Sequence, residues 1–165
     1  MNRMDNRGIN YASRLLLVAP VIFVCHFLEE SPGFVQWFNG HVARGITSGL
    51  FWRVNFSALT ITLMVLGIQW FSRSAYSLLL ALVWLSFLML ANAFLHIAGA
   101  LIDQQYVPGL VTAILLYLPY YSWLFIKAVK SRQTKPVVLV AAAVLGSLPM
   151  LIHGYLIIFR GSRLF

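Results

Sequence analysis

The residues able to do chemistry gather at the end of the first apolar segment, in Val24-Cys25-His26-Phe27-Leu28-Glu29-Glu30. The chain has four carboxylates and four histidines in all. Two of the carboxylates stand here beside one histidine. On a helix, Glu29 and Glu30 fall roughly 60° and 40° to either side of His26, so the three share one face. Imidazole with carboxylate suits zinc, iron or manganese, and a pair of carboxylates also suits acid–base work. A charge at mid-membrane costs about 2.5–3.5 kcal/mol, and less toward the surface. Water, a cation or a metal must offset that cost.

Other apolar segments carry polar residues that can join this group. Asn92 and His96 lie four apart on one face, His153 lies in the last segment, and Arg53 and Asn55 open the second. Candidate metal ligands are therefore His26, Glu30, His96 and His153. Glu29 is a further or bridging ligand, or a general base. Asn92 can orient a ligand or a substrate oxygen, and Arg53 can hold one carboxylate ionised. Without a metal, burial and repulsion would split the two glutamates into an acid and a base, a pair suited to moving a lipid double bond. A third reading is a transport or binding protein with a His/Glu proton relay. Of the remaining polar groups, His41 is expected in a solvated loop and Asp103 at a helix end. Cys25, the single cysteine, cannot form an internal disulfide and is expected as a small buried packing residue.

The elements that must position these groups are apolar helices. Hydrophobic residues make up 61% of the 165-residue chain and charged residues 10%, against about 25% charged in soluble domains. This is the composition of an all-α, polytopic membrane bundle forming one domain over residues 1–165. Five transmembrane helices are expected, at about residues 11–30, 50–71, 75–102, 108–126 and 136–159. Pro32-Gly33 stops the first, and Pro20 can kink it. Residues 31–49 read as a connection, with Phe34, Trp37 and Phe38 as an interfacial anchor and Asn39-Gly40 as a turn. Pro108 and Pro136 suit the first positions of the last two helices.

Five spans put the termini on opposite sides. Arg3, Arg7, Arg14, Arg73 and the basic run from Lys127 to Lys135 then share one side, and the positive-inside rule makes that side cytoplasmic. The N-terminus is in and the C-terminus out. His26, Glu29 and Glu30 fall at the outer end of the first helix. His96 and His153 lie about 9 Å deep and Asn92 about 15 Å deep, at 1.5 Å per residue. Several helices thus bring polar groups to one outer layer.

Several of these stretches also resemble a known family. His26-x-x-Glu29-Glu30, Trp37-Phe38-Asn39, Asn92-x-x-x-His96 and Tyr106-Val107-Pro108-Gly109-Leu110 are similar to the HXXEE-domain family of small bacterial integral membrane proteins. The resemblance spans most of residues 20–125. It implies a membrane fold and a motif, and carries no established activity. A weaker similarity, in size, helix number and His/Glu placement, is to the membrane sterol-isomerase (emopamil-binding-like) proteins.

The net charge of +8 does not point to nucleic acid, because the basic residues flank apolar runs and form no stripe. The expectation is a multi-pass protein of the inner membrane. Its His/Glu site would serve a zinc- or iron-dependent enzyme acting on a lipid or isoprenoid-like substrate. A membrane lipid or small hydrophobic molecule is the expected partner, and a homo-oligomer is compatible with the sequence.

Overall fold

The computed structural model describes residues 15–42 and 44–160, and the side chains up to residue 158. The N-terminal tail with Arg3, Arg7 and Arg14, and Arg163 near the C-terminus, lie outside the described residues. Among those described, the fold is all-helical with no strand. Six helices follow in order: α1 Ala19–Glu30, α2 Phe34–His41, α3 Ser48–Ser72, α4 Ala75–Asp103, α5 Leu110–Lys130 and α6 Pro136–Arg160.

Helices α3 to α6 are each long and apolar enough to cross a membrane, with mean hydropathies of 1.5, 2.3, 1.4 and 2.1. The shortest, α5 with 21 residues, reaches about 31 Å at 1.5 Å per residue, the thickness of a hydrocarbon core. The outward face is apolar too: Met64, Phe71, Leu101 and Leu145 all stand exposed. Of the five expected spans, four are thus present as long helices. The first is described for only 12 helical residues, and residues 1–14 lie outside the description.

Local chemistry explains most boundaries. Thr47 Oγ1 accepts the Leu50 amide at 3.2 Å and starts α3. Arg73, in the left-handed region at φ 45°, ends α3, and Ser74 opens α4 by a capping box with Ser77. Pro136 opens α6. Several expectations are corrected. α1 begins at Ala19, after a turn in which the Val18 amide donates to Leu15 O, so Pro20 sits in the first turn, where proline starts a helix without kinking it. α5 begins at Leu110, two residues past Pro108, because Gly109 at φ +96° breaks the helical path. It runs on to Lys130, with Lys127 and Lys130 in the last turn, where cations suit the carbonyl end.

Residues 31–49 are more ordered than a connection. Phe34–His41 form α2, and Trp37 and Phe38 are buried against Val107 and Ile157, so they are core residues and no surface anchor. Asn39 lies inside α2, and its amide group holds the return of the chain from both sides: it donates to Ile46 O at 3.0 Å and accepts from Ile46 N at 2.7 Å. Cys25, expected as a buried packing residue, is exposed instead, because it stands about 100° round α1 from the buried His26.

The core runs along α4, which packs on α3, α5 and α6. α6 approaches α4 closely at Gly146, where an added Cβ would strike the Val83 backbone. Both α4 and α5 contain a π-helical stretch, Ser86–Ala91 and Ala113–Tyr117. A π turn adds a residue per turn and rotates everything beyond it. In α5 it ends two residues before Pro119, whose ring would otherwise press on the carbonyl four residues back.

Candidate metal centre

α1 and α4 bring their polar groups together, those of α4 just beyond its π stretch, and the first turn of α5 meets them from ahead of its own. α1 supplies His26 and Glu30, one turn apart and both buried. α4 supplies Asn92 and His96, the first of them directly after the π stretch. Glu30 Oε1 lies 3.4 Å from His26 Nε2 and 3.0 Å from His96 Nε2. One ligand atom from each of His26, Glu30 and His96 lies within 4.8 Å of the others. Two atoms bound to one zinc-like ion, at about 2.0–2.2 Å each, lie no more than about 4.4 Å apart, so the group is close to the size of a single-ion site.

Burial sharpens that reading. His96 is wholly buried, and its Nδ1 has no hydrogen-bond partner among the described residues. Its Nε2, despite the 3.0 Å approach to Glu30, is not aligned for a hydrogen bond. A buried imidazole left in this way costs about 1–3 kcal/mol. An ion between the three ligand atoms would take the Nε2 lone pair and leave Nδ1 as the protonated nitrogen.

Glu29 points elsewhere. Its carboxylate accepts the amides of Val111 at 3.0 Å and Thr112 at 2.7 Å, the Thr112 hydroxyl at 2.5 Å and the Tyr106 hydroxyl at 2.7 Å. It therefore caps the N-terminus of α5 from a different helix. Thr112 Oγ1 also lies 2.7 Å from His26 Nδ1. The hydroxyl has one proton, and the carboxylate takes it, so Nδ1 carries the proton of the His26–Thr112 bond. The Nε2 lone pair then faces Glu30 and His96. Carboxylate, hydroxyl and imidazole form the kind of outer support that orients a metal-binding histidine. Tyr106, in the loop between α4 and α5, has its ionisation pushed up to about 12, by burial of the hydroxyl and then by Glu29 beside it.

The turn before α5 roofs the cluster. A Cβ on Gly109 would sit 2.7 Å from His96 Cε1, 3.0 Å from Glu30 Cγ and 3.0 Å from His26 Cε1. Only glycine lets the backbone lie this close at a positive φ. On the other side the Tyr117 ring lies on the His26 ring, with centroids 4.1 Å apart. Sequence reasoning missed Thr112, Gly109, Tyr106 and Tyr117. From sequence, Pro108 reads as the first residue of a helix, so no turn is expected at Gly109 and nothing tells which residues it would cover.

The remaining candidates fall as follows. Asn92 Nδ2 lies 3.0 Å from His26 Nε2, at the edge of the cluster. His153 is outside the three-residue group and lines a cavity that adjoins Glu30 and Asn92. Arg53 is exposed and pairs with neither glutamate, because it stands two residues, about 200°, round α3 from buried Phe51. His41 is no solvated loop residue. It ends α2, with Nδ1 2.9 Å from Trp37 O and Nε2 3.1 Å from Asp103 Oδ1. Asp103 is the last residue of α4, as expected, and also accepts Trp37 Nε1 at 2.7 Å. This second network ties α2 to the end of α4.

A helical bundle with membrane-length apolar helices and a buried His–Glu–His cluster is the class of protein these features define. The family model described as "protein of unknown function with HXXEE motif" matches residues 17–124, and the chain belongs to that family. No curated protein and no solved structure matches it.

Proposed function

We propose that this protein is a metal-dependent membrane enzyme, with His26, Glu30 and His96 holding one zinc or iron ion. The observation that carries the reading is the buried convergence of three ligand atoms within 4.8 Å, one imidazole of which has no other partner. Two imidazoles and one carboxylate form a ligand set used by catalytic zinc and by non-haem iron, with positions left open. When bound, such an ion supplies Lewis acidity and an activated water. The chain's own residues do the rest. Glu29 and Thr112 fix the His26 tautomer, Gly109 and Tyr117 exclude water from the His26 ring, and Asn92 stands where it can meet a substrate oxygen. The substrate is a lipid or isoprenoid-like molecule, and the reaction takes place in the cytoplasmic membrane. The N-terminus is inside and the C-terminus outside, with α1 and the residues before it as a fifth span.

A second reading is favoured by one contact. Asn92 Nδ2 points at His26 Nε2, the lone pair a metal would take. In a metal-free site, Glu30 and the two histidines would act as an acid–base group for lipid isomerisation. Elemental analysis of protein purified in detergent without chelators separates the two. Near-stoichiometric zinc or iron, lost in both His26→Ala and His96→Ala, is the expected result. Full activity at a metal content below one-tenth per chain would refute the metal reading.

A further inference from the structure

Beside the cluster lies a cavity of about 230 Å³. Glu30 and Asn92 stand at one part of its wall, with Asn55 and His153 as the other polar groups; the remainder is apolar, including Phe51, Phe87 and Met150. Glu30 is the only carboxylate on that wall, and no lysine or arginine among the described residues lines it. The Glu30 charge is already faced by His26 and His96. A phosphate or diphosphate brought here would bury about two or more negative charges on a wall with no lysine or arginine among the described residues, and an ion held by His26, Glu30 and His96, already half offset by Glu30, would leave too little positive charge to pair them. A neutral hydroxyl or carbonyl meets Asn92 and the cluster without that penalty.

The entrance narrows the class further. α3 packs on α1 and on the first half of α4, whereas α6 packs along α4. The cavity lies between α3 and α6, and its lining residue Val54 is 58% exposed on α3. Both helices are of membrane-spanning length and apolarity, so the opening faces hydrocarbon. An apolar body enters sideways from lipid, as expected of sites between helices of a bundle.

We infer that the cavity binds a long apolar body carrying one hydroxyl or carbonyl group, and rejects phosphorylated lipids. This deepens the enzyme reading above and rests on it for the membrane setting.

The test uses the full-length protein in detergent with a diazirine-bearing octadecanol as photoprobe. Labelled peptides are mapped by mass spectrometry. Labelling is expected on α3 around residues 54–58 and on α6 around 150–157. Unlabelled octadecanol should reduce it at least tenfold, while octadecyl phosphate should change it less than twofold. Ala58→Phe and Met150→Trp each fill the cavity from a different helix. Either one that keeps the wild-type melting profile should lose labelling at least tenfold. Metal content is measured on the same samples. Labelling confined to the cavity with no metal present sinks the metalloenzyme reading and leaves this inference standing. Labelling spread over the whole apolar exterior, or equal competition by the phosphate, overturns it whatever the metal content.

Discussion

Gly109→Ala puts one methyl group where the structure has room for none. The added Cβ would lie 2.7 Å from His96 Cε1 and 3.0 Å from carbons of Glu30 and His26, against an ordinary carbon contact of about 3.5–4.0 Å. Two penalties follow. Holding an L-residue at φ +96° costs about 1–2 kcal/mol. Overpacking three buried side chains costs about 1–3 kcal/mol more. Their sum of about 2–5 kcal/mol corresponds to a fall in melting temperature of about 4–20 °C for a chain of this size. The His96 ring is the nearest group and must move, so metal content should fall in the same sample. Gly40→Ala is the control. Gly40 is helical, with nothing within 4 Å of an added Cβ, so the change should be neutral or stabilise by about 0.5–1 kcal/mol. Thermal unfolding in detergent, followed by circular dichroism, reads both variants. If Gly109→Ala melts within about 2 °C of wild type, a difference of roughly half a kcal/mol, and keeps its metal, the turn does not roof the cluster.

The two adjacent glutamates should separate in their effects. Glu30→Gln should lower metal content at least tenfold, whereas Glu29→Gln should retain metal better and lose about 1–2 kcal/mol of stability through the weakened cap on α5; equal loss of metal in both would refute the division. Tyr106 predicts alkaline sensitivity. Its ionisation is raised from 10.0 to about 12 in the fold, so the neutral form is the one the fold favours; that contribution is complete below pH 10 and is lost as pH rises from 10 to about 12. Tyr106→Phe should flatten the pH dependence of melting across that window, and an unchanged slope would contradict the Tyr106–Glu29 bond. Reporter fusions at the two termini should read opposite sides of the membrane, since matching sides would reduce the spans to an even number.

Much of the helical frame can be read from the chain because its punctuation is local. Ser74, Arg73 and Pro136 mark boundaries by their own side chains or backbone, and the helices over 50–71, 75–102 and 136–159 match the observed ones to within two residues. The shared face of His26 and Glu30 is equally local, one turn of one helix. The destination of Glu29 is not. Its partners lie 77 to 83 residues away, at a helix end whose location depends on the conformation of Gly109. The two π stretches are similarly hidden, since a helical wheel assumes an even 100° step. They turn the later parts of α4 and α5 by an amount no spacing rule anticipates. Equal depth along separate helices likewise says nothing of direction around each axis, which is why Arg53 faces outward and His153 joins the cavity wall without joining the three-residue group.

The cap that Glu29 places on α5 has a consequence for assembly. The amides of Val111 and Thr112 find their acceptor on a helix made more than 80 residues earlier. A nascent chain released from synthesis before Leu110 would contain the whole His26-x-x-Glu29-Glu30 stretch, and His96 too, yet the roof and the hydroxyl that holds His26 would not exist. Completion of the pocket therefore waits on docking of α5 against α1. That step is a late checkpoint: until it is passed, α1 carries a bare carboxylate and α5 carries bare amides, each costly away from water. Until this latch closes, the three ligand residues are present but His26 Nδ1 lacks the Thr112 hydroxyl that holds its ring.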